Sequence, residues 1–154
     1  MSRMISRLLL VSMLLVFLSA CGTSVQSDRP ATHPVSGTVT MNGQPVARAN
    51  LSFQLADGSG SAAGVTDNQG RYELTTFTAG DGAVPGEYLV AITQFEEPPP
   101  GAGVPDDHPD YNPNLPEFVP KNLLPERYAT ASTSGLKATV VEGPNTGVDF
   151  ELTD

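Results

Sequence analysis

The sequence contains a single cysteine, no tryptophan and only two histidines among its 154 residues. One cysteine cannot form a disulfide within the chain, so the folded domain must be held together by its hydrophobic core. Basic residues are also scarce: eight Lys and Arg stand against 17 Asp and Glu, which gives a formal net charge of −9. Because an acidic surface repels phosphate backbones, we expect no nucleic acid partner.

The N-terminus carries an apolar run that ends at the only cysteine, Cys21. Arg3 and Arg7 precede residues 8–18, an almost entirely apolar stretch that is too short to span a bilayer comfortably as a helix. A positive region followed by a short apolar region is typical of an export signal. The sequence therefore predicts a protein that leaves the cytoplasm.

Residues 18–21, Leu-Ser-Ala-Cys, resemble the lipobox of bacterial lipoproteins. The resemblance implies that residues 1–20 are removed as a signal peptide and that Cys21 is acylated, with palmitate-type chains holding the protein on a membrane. Two or more acyl chains anchor a protein durably, whereas one does so only transiently. Gly22 in the next position favours the outer membrane, and we expect a cell-envelope location. The alternative is an ordinary secretory signal with an unmodified cysteine beside the cleavage point.

The chain after Cys21 divides into a tether and one domain. Residues 21–34 are polar and aperiodic, which predicts a flexible tether. Residues 35–154 alternate apolar and polar side chains, which predicts half-buried antiparallel strands. Asn42-Gly43 is a hairpin signal, since both residues tolerate the positive φ of a type I′ turn. The prediction is an all-β, seven-stranded antiparallel β-sandwich with strands at residues 35–41, 47–55, 63–66, 71–75, 88–92, 136–140 and 148–152.

A proline-rich loop, residues 96–128, interrupts the strands. Nine of the 14 prolines lie between residues 96 and 125. Proline fixes φ and cannot donate a ladder hydrogen bond, so we predict an irregular segment with one short helical turn near its end. A loop of this length is either functional or loosely ordered. Tyr111 and Phe118 are candidates for stacking on a ligand; the alternative is that they pin the loop onto the sandwich.

The same loop contains an acidic cluster formed by Asp106, Asp107, His108 and Asp110. Carboxylates and an imidazole can hold a divalent cation, with further oxygen ligands available nearby in the sequence at Asn112, Asn114 or Glu117. The spacing is neither that of an EF-hand nor that of a structural zinc site, so the alternative is a solvated acidic loop. We therefore predict no resident metal and no cofactor.

Five short segments of the first half together resemble the carboxypeptidase regulatory-like domain, a seven-stranded sandwich of transthyretin-like shape. They are residues 35–39, 43–46, 49–53, 66–74 and 85–88. Several of their residues have a structural explanation: Asp67 caps its own turn, and Phe53, Tyr72 and Tyr88 fill the core. In that family the domain accompanies peptidases as a folding or docking module, and this chain has no peptidase domain.

The second half looks like a group of small bacterial lipoproteins without an assigned activity, which share the segments 124–128 and 133–136. Hydroxyisourate hydrolases also have a transthyretin-like fold, but their groove needs several histidines and a basic-aromatic C-terminus. This chain has only His33 and His108 and ends in Phe150-Glu151-Leu152-Thr153-Asp154. We therefore reject that activity.

Two functions stay open from the sequence. The first is a non-catalytic, lipid-anchored envelope protein that offers its sheet edges and proline-rich loop to an unidentified protein or polymer. The second is an accessory lipoprotein that binds a cation or a glycan through residues 96–128, although the absence of tryptophan disfavours glycan stacking. We expect no enzyme, because Cys21 is assigned to lipid and no serine belongs to a recognisable catalytic motif.

Overall fold

The computed structural model describes residues 29–100, 102, 107–109 and 118–154, and this part of the chain is all-β. Its strands form two sheets that pack face to face in a sandwich-like arrangement. A single 3-10 helix, Glu126–Ala129, accompanies the strands within the described residues. The strands are β1 (Val35–Met41), β2 (Gln44–Pro45), β3 (Asn50–Leu55), β4 (Ser61–Val65), β5 (Arg71–Glu73), β6 (Gly86–Thr93), β7 (Leu136–Val140), β8 (Asn145–Thr146) and β9 (Phe150–Leu152).

Strand β1 lies at the centre of the first sheet, and the second sheet has the order β4-β3-β6-β7. Strands β5 and β2 pair with β1 antiparallel, whereas β8 and β9 pair with it in parallel. The two sheets meet at one corner, where Ala63 exchanges two backbone hydrogen bonds of 2.9 and 2.8 Å with Thr75. Because β9 pairs with β1, the first and last strands of the domain are direct neighbours.

Four aromatic rings from both sheets form the middle of the core. Phe53 contacts Tyr72 and Phe150 across the sandwich and Tyr88 beside it, with ring centroids 5.8 to 6.1 Å apart. Each of the four side chains is at most 6% exposed. Tilted and edge-to-face pairs of this kind contribute about 0.5–1.5 kcal/mol each beyond the area that they bury. The prediction that Phe53, Tyr72 and Tyr88 fill the core is confirmed.

The hairpin predicted at Asn42-Gly43 is shorter than expected. Both turn residues have positive φ, but the turn joins β1 only to the two-residue strand β2. The predicted partner, residues 47–55, instead begins as strand β3 at Asn50 and lies in the opposite sheet. Between β2 and β3 the chain crosses over, and the buried Thr66 hydroxyl donates to the Val46 carbonyl at 2.6 Å and accepts from the Ala49 amide at 2.7 Å.

The prediction of seven antiparallel strands is corrected in two respects. The described residues contain nine strands, because two-residue strands form at β2 and β8. The pairing of β1 with β8 and β9 is parallel, so the five-stranded sheet is mixed. The reason is geometric: β7 ends beside the start of β1, where the Gly143 amide donates to the His33 side chain at 2.9 Å. The chain leaving β7 therefore enters the first sheet at the start of β1 and runs along it in the same direction.

The C-terminal segment changes its register against β1 at residues 147–149. Thr146 lies opposite Ser36, but Phe150 lies opposite Val39. The C-terminal segment thus uses one residue more than β1 over the same distance, which is a β-bulge.

Two polar contacts stabilise this bulge. The Asp149 carboxylate accepts hydrogen bonds from the Thr38 amide at 2.7 Å and from the Thr38 hydroxyl at 2.8 Å, so a side chain replaces the missing backbone acceptor. The Tyr72 hydroxyl donates to the Val148 carbonyl at 2.6 Å. That carbonyl lies against Gly37, where a Cβ atom would come within 1.9 Å of its oxygen. Gly37 is therefore required by close approach between the first and last parts of the domain.

We predict that Gly37→Ala destabilises the domain by about 1–3 kcal/mol, since the new methyl group collides with a backbone oxygen that cannot move without breaking the bulge. Denaturant-induced unfolding measures this change. Gly60→Ala is the matched control, because a Cβ atom there meets only the flexible end of Leu55 at 3.4 Å. Equal stability of the two variants would contradict the role given to Gly37.

Candidate functional site

The proline-rich loop leaves and re-enters the sandwich at one end, which we call the loop end. Phe95 and Asn122 form an antiparallel bridge at the root of the loop. The Leu123 amide donates to the Gln94 carbonyl at 2.7 Å, and the Gln94 amide donates to the Asn122 side chain at 3.1 Å. These bonds fix both ends of the loop to the end of β6.

The loop root exposes large apolar side chains. Phe95 is 48% exposed and Leu123 is 52% exposed, and both line an open groove of about 510 Å³. Arg48 and Glu97 also line the groove and form an ion pair with each other. Both charged side chains are well exposed, so the pair contributes little to stability. We call Phe95 and Leu123 the loop-root patch; its chemistry suits an apolar side chain supplied by a partner.

The predicted cation ligands are only partly described. Asp107 and His108 lie exposed on the loop, whereas Asp106 and Asp110 lie outside the described residues. Among the side chains that the structure describes, no group of three or more His, Cys, Asp or Glu comes together as a metal site. The absence of a resident metal stays a prediction, and the cation site stays the alternative.

Of three further residues that the sequence analysis singled out, the structure describes only one. Phe118 is half-buried on the returning arm of the loop. Tyr111 and the proposed lipidation residue Cys21 lie outside the described residues. The stacking role of Tyr111 and the acylation of Cys21 therefore stay predictions.

A second, larger groove of about 790 Å³ lies on the five-stranded sheet and is lined by polar residues. Two of its three carboxylates are already hydrogen bonded: Asp149 to Thr38, and Asp67 to Arg71, whose guanidinium lies 2.8 Å from the Asp67 carboxylate. The third, that of Glu73, lies exposed on β5. Burial raises the pKa of Tyr72 far above its ordinary value, and the nearby Asp149 charge adds to this, so Tyr72 remains a neutral hydrogen-bond donor. The side chains of Asp67, Tyr72 and Asp149 thus hold strands and turns in place.

Two aspartates organise turns through backbone amides. Asp67 accepts from the amides of Gln69 and Arg71 at 2.8 and 2.9 Å, which confirms the predicted cap. The Arg71 amide bond is the main cause of the lowered pKa of Asp67. Asp81 has the same role in the next loop, although no sequence signal marked it.

The Asp81 carboxylate accepts from three amides, those of Thr76, Phe77 and Thr78, at 2.7, 3.0 and 2.9 Å. Desolvation acts to raise the pKa of Asp81, but the three amide donors together outweigh it and hold that pKa below its usual range. The charged form of Asp81 is therefore the form that the folded loop favours.

The segment 124–128 has a packing role. The Arg127 guanidinium lies over the Tyr128 ring at 4.7 Å from its centroid and donates to the Thr153 carbonyl at 2.5 Å. The Thr153 amide donates to the Tyr128 hydroxyl at 3.1 Å, and this bond is the main cause of the lowered pKa of Tyr128. Arg127 and Tyr128 thus fasten the end of β9 at the loop end.

The segment 133–136 holds strands β6 and β7 together through a buried serine. Ser134 is buried, and its hydroxyl donates to the Val90 carbonyl at 2.6 Å while accepting from the Leu136 amide at 3.1 Å. A single side chain therefore bridges β6 and the start of β7. The sequence marks this segment but not its contacts, because Val90 is 44 residues away.

Comparisons with protein-family models, curated proteins and solved structures find no match for this chain. Across the described ranges, no helix combines the length and apolar character needed to cross a bilayer. We therefore infer a function from the contacts and surfaces of the domain itself.

We predict that the stability of the domain falls as the pH drops from about 5 to 3. The folded-state pKa of Asp81 lies below the unfolded value of about 3.9, so its stabilising effect is complete above that value and is lost as it protonates. Asp81→Asn should lower the Tm at pH 7 by about 2–5 °C and flatten the acid slope. Glu151→Gln, at an exposed position on β9, is the control. Parallel pH profiles for wild type and Asp81→Asn would contradict the prediction.

Proposed function

We propose that this protein is a non-catalytic, lipid-anchored protein of the bacterial cell envelope whose sandwich domain binds a protein partner through its loop end. The observation that carries the proposal is the loop-root patch, where Phe95 and Leu123 are half exposed beside a groove although both ends of the loop are fixed by hydrogen bonds. An aromatic side chain held on a rigid support is the kind of residue that dominates binding energy at protein interfaces.

The polar residues support the same proposal. The carboxylates of Asp67, Asp81 and Asp149 accept hydrogen bonds from the backbone, and the motif residues Arg127 and Ser134 fasten strand ends. These side chains are thus employed in holding the fold. The apolar surface at the loop root has no such role within the described structure, which favours recognition of a partner over chemistry.

The lipid anchor rests on the sequence. Residues 18–21 have the lipobox pattern, and the described domain begins shortly after them. An acidic domain is repelled by anionic headgroups, so acyl chains rather than surface charge would keep it at the membrane.

We also propose the finer fold: residues 35–154 form a carboxypeptidase regulatory-like domain of transthyretin type. Two facing sheets support it, as does segment 66–74, which forms the Asp67-capped turn and strand β5. An experimental structure with a different connection between the sheets would overturn it.

The alternative function is an accessory lipoprotein that binds a cation or a glycan through residues 96–128. It is favoured by the exposed Asp107 and His108, which have Asp106 and Asp110 as sequence neighbours. Calorimetric titration of the full chain with Ca²⁺, Zn²⁺ and oligosaccharides separates the two functions. Binding heat that disappears in Asp107→Asn would support the alternative, and no heat with any of them would remove it.

We predict that intact-mass analysis of the mature protein shows an N-terminal Cys21 carrying acyl chains. Cys21→Ser should move the protein from the membrane fraction to the soluble extracellular or periplasmic fraction, because acyl burial is what holds it. Ser24→Ala, three residues further on, is the matched control and should stay membrane-bound. An unmodified thiol on the native protein would contradict the lipid anchor.

We predict that Phe95→Glu and Leu123→Glu each weaken partner binding at least tenfold, since each places a charge in an apolar contact. A photo-crosslinking residue at position 95 in living cells identifies the partner, and binding of the purified pair then measures the loss. Val141→Glu is the control, because Val141 is 56% exposed but lies at the opposite end of the sandwich. Equal affinity of all three variants would contradict the assignment of the loop end.

A further inference from the structure

The last residues of the predicted tether are docked on the domain. We call residues 29–34 the strap. The His33 amide donates to the Ala83 carbonyl at 2.8 Å, and the Ala83 amide donates to the His33 carbonyl at 3.0 Å, so His33 pairs with the loop before β6 as a strand would. Gly82 lies directly beneath it: a Cβ atom there would come within 1.8 Å of the His33 carbonyl oxygen.

Three more contacts hold the strap to other parts of the domain. The Gly143 amide donates to Nδ1 of the His33 ring at 2.9 Å, which ties the strap to the turn after β7. The Asn145 amide donates to the Pro34 carbonyl at 2.8 Å. Further out, the Arg29 guanidinium lies 5.2 Å from the centre of the Phe77 ring. The strap is thus fixed by three separate segments.

The strap and the loop root lie at opposite ends of the sandwich. The strap contacts the start of β1, the start of β6 and the end of β7. At the other end, Gln94 after β6 donates to the Ala47 carbonyl at 2.8 Å, and Thr153 after β9 contacts Tyr128. Strand β1 has seven residues, and at about 3.3 Å per residue it separates the two ends by roughly 20 Å.

Docking of the strap also shortens the chain length between Cys21 and the first docked residue. Eight residue steps separate Cys21 from Arg29, which span at most roughly 29 Å, whereas the fourteen steps to Val35 would span up to roughly 50 Å. With the shorter connection, Arg29 at the strap end stays within roughly 29 Å of the surface to which Cys21 is anchored.

We infer that the docked strap determines which end of the domain lies nearer the membrane: on average the strap end lies closer to the lipid, and the loop-root patch lies farther from it, toward a protein partner beyond the membrane surface. This inference rests on the proposed acyl anchor at Cys21.

The test measures the height of each end above the membrane in the full-length, acylated protein reconstituted in liposomes. Glu142→Cys labels the strap end and Ser132→Cys labels the loop end, and both positions are exposed. Energy transfer from each label to acceptor lipids should show the loop-end label farther from the membrane on average, by up to roughly 20 Å. Equal heights, or a loop-end label closer to the lipid, overturn the inference.

A pair of glycine variants tests whether docking of the strap causes the difference in height between the two labels. Gly82 and Gly80 both have positive φ, at 84° and 72°, so alanine strains both backbones alike. Only Gly82 presses on the strap, since a Cβ atom at Gly80 meets nothing nearer than Glu73 at 3.7 Å. Gly82→Ala should reduce the height difference, because the connection to Cys21 then lengthens to as much as roughly 50 Å, and Gly80→Ala should keep it. His33→Ala removes the ring contact more gently and serves if Gly82→Ala does not fold.

Amide hydrogen exchange of the same full chain distinguishes a failure of the docked strap from a failure of the acyl anchor at Cys21. Slow exchange at Ala83 and Gly143 that becomes fast in Gly82→Ala supports the docked strap whatever the state of Cys21. Fast exchange at both amides in the wild type overturns the strap even when Cys21 is acylated. Slow exchange with an unmodified Cys21 overturns the membrane orientation together with the proposed function, and leaves the strap as a feature of the domain alone.

Discussion

The hydrogen bonding of β1 along both of its sides is the constraint on which the rest of this domain depends. One side binds β5 and β2, and the other binds the C-terminal strands β8 and β9. The parallel side is possible only because Gly37 leaves room for the Val148 carbonyl and because the Asp149 side chain satisfies the Thr38 amide at the bulge. With no disulfide available, this closure of the first strand onto the last performs the stapling that a cysteine pair gives to many exported domains.

Several polar residues of the described domain stabilise its architecture. Asp67 and Asp81 gather the amides of their turns, and Thr66 bridges the crossing between the sheets. Ser134 and Asn145 act alike where strands end, since the Asn145 side chain accepts from the Val141 amide at 2.9 Å and donates to the Val141 carbonyl at 2.9 Å. A long loop can emerge from such a frame without loosening it, because the strand ends on either side are tied independently.

The two ends of the sandwich differ in a way that matters for the proposed function. One end receives the strap through backbone pairing and the His33 ring, and the other carries the loop root with its exposed apolar side chains. Under the proposed function, a domain that is anchored at one end can offer the other end to a partner.

Alternation and residues within a few positions of one another were enough to predict the strand class, the Asn42-Gly43 turn, the Asp67 cap and the aromatic core. The sequence also marked residues 124–128 and 133–136, but not their contacts. Four features could not be predicted in this way: the parallel pairing of β9, the position of β3 in the opposite sheet, the docking of His33 and the exposure of Phe95. These depend on which segments meet across the core, and such contacts between distant positions leave no periodic signal in a single sequence.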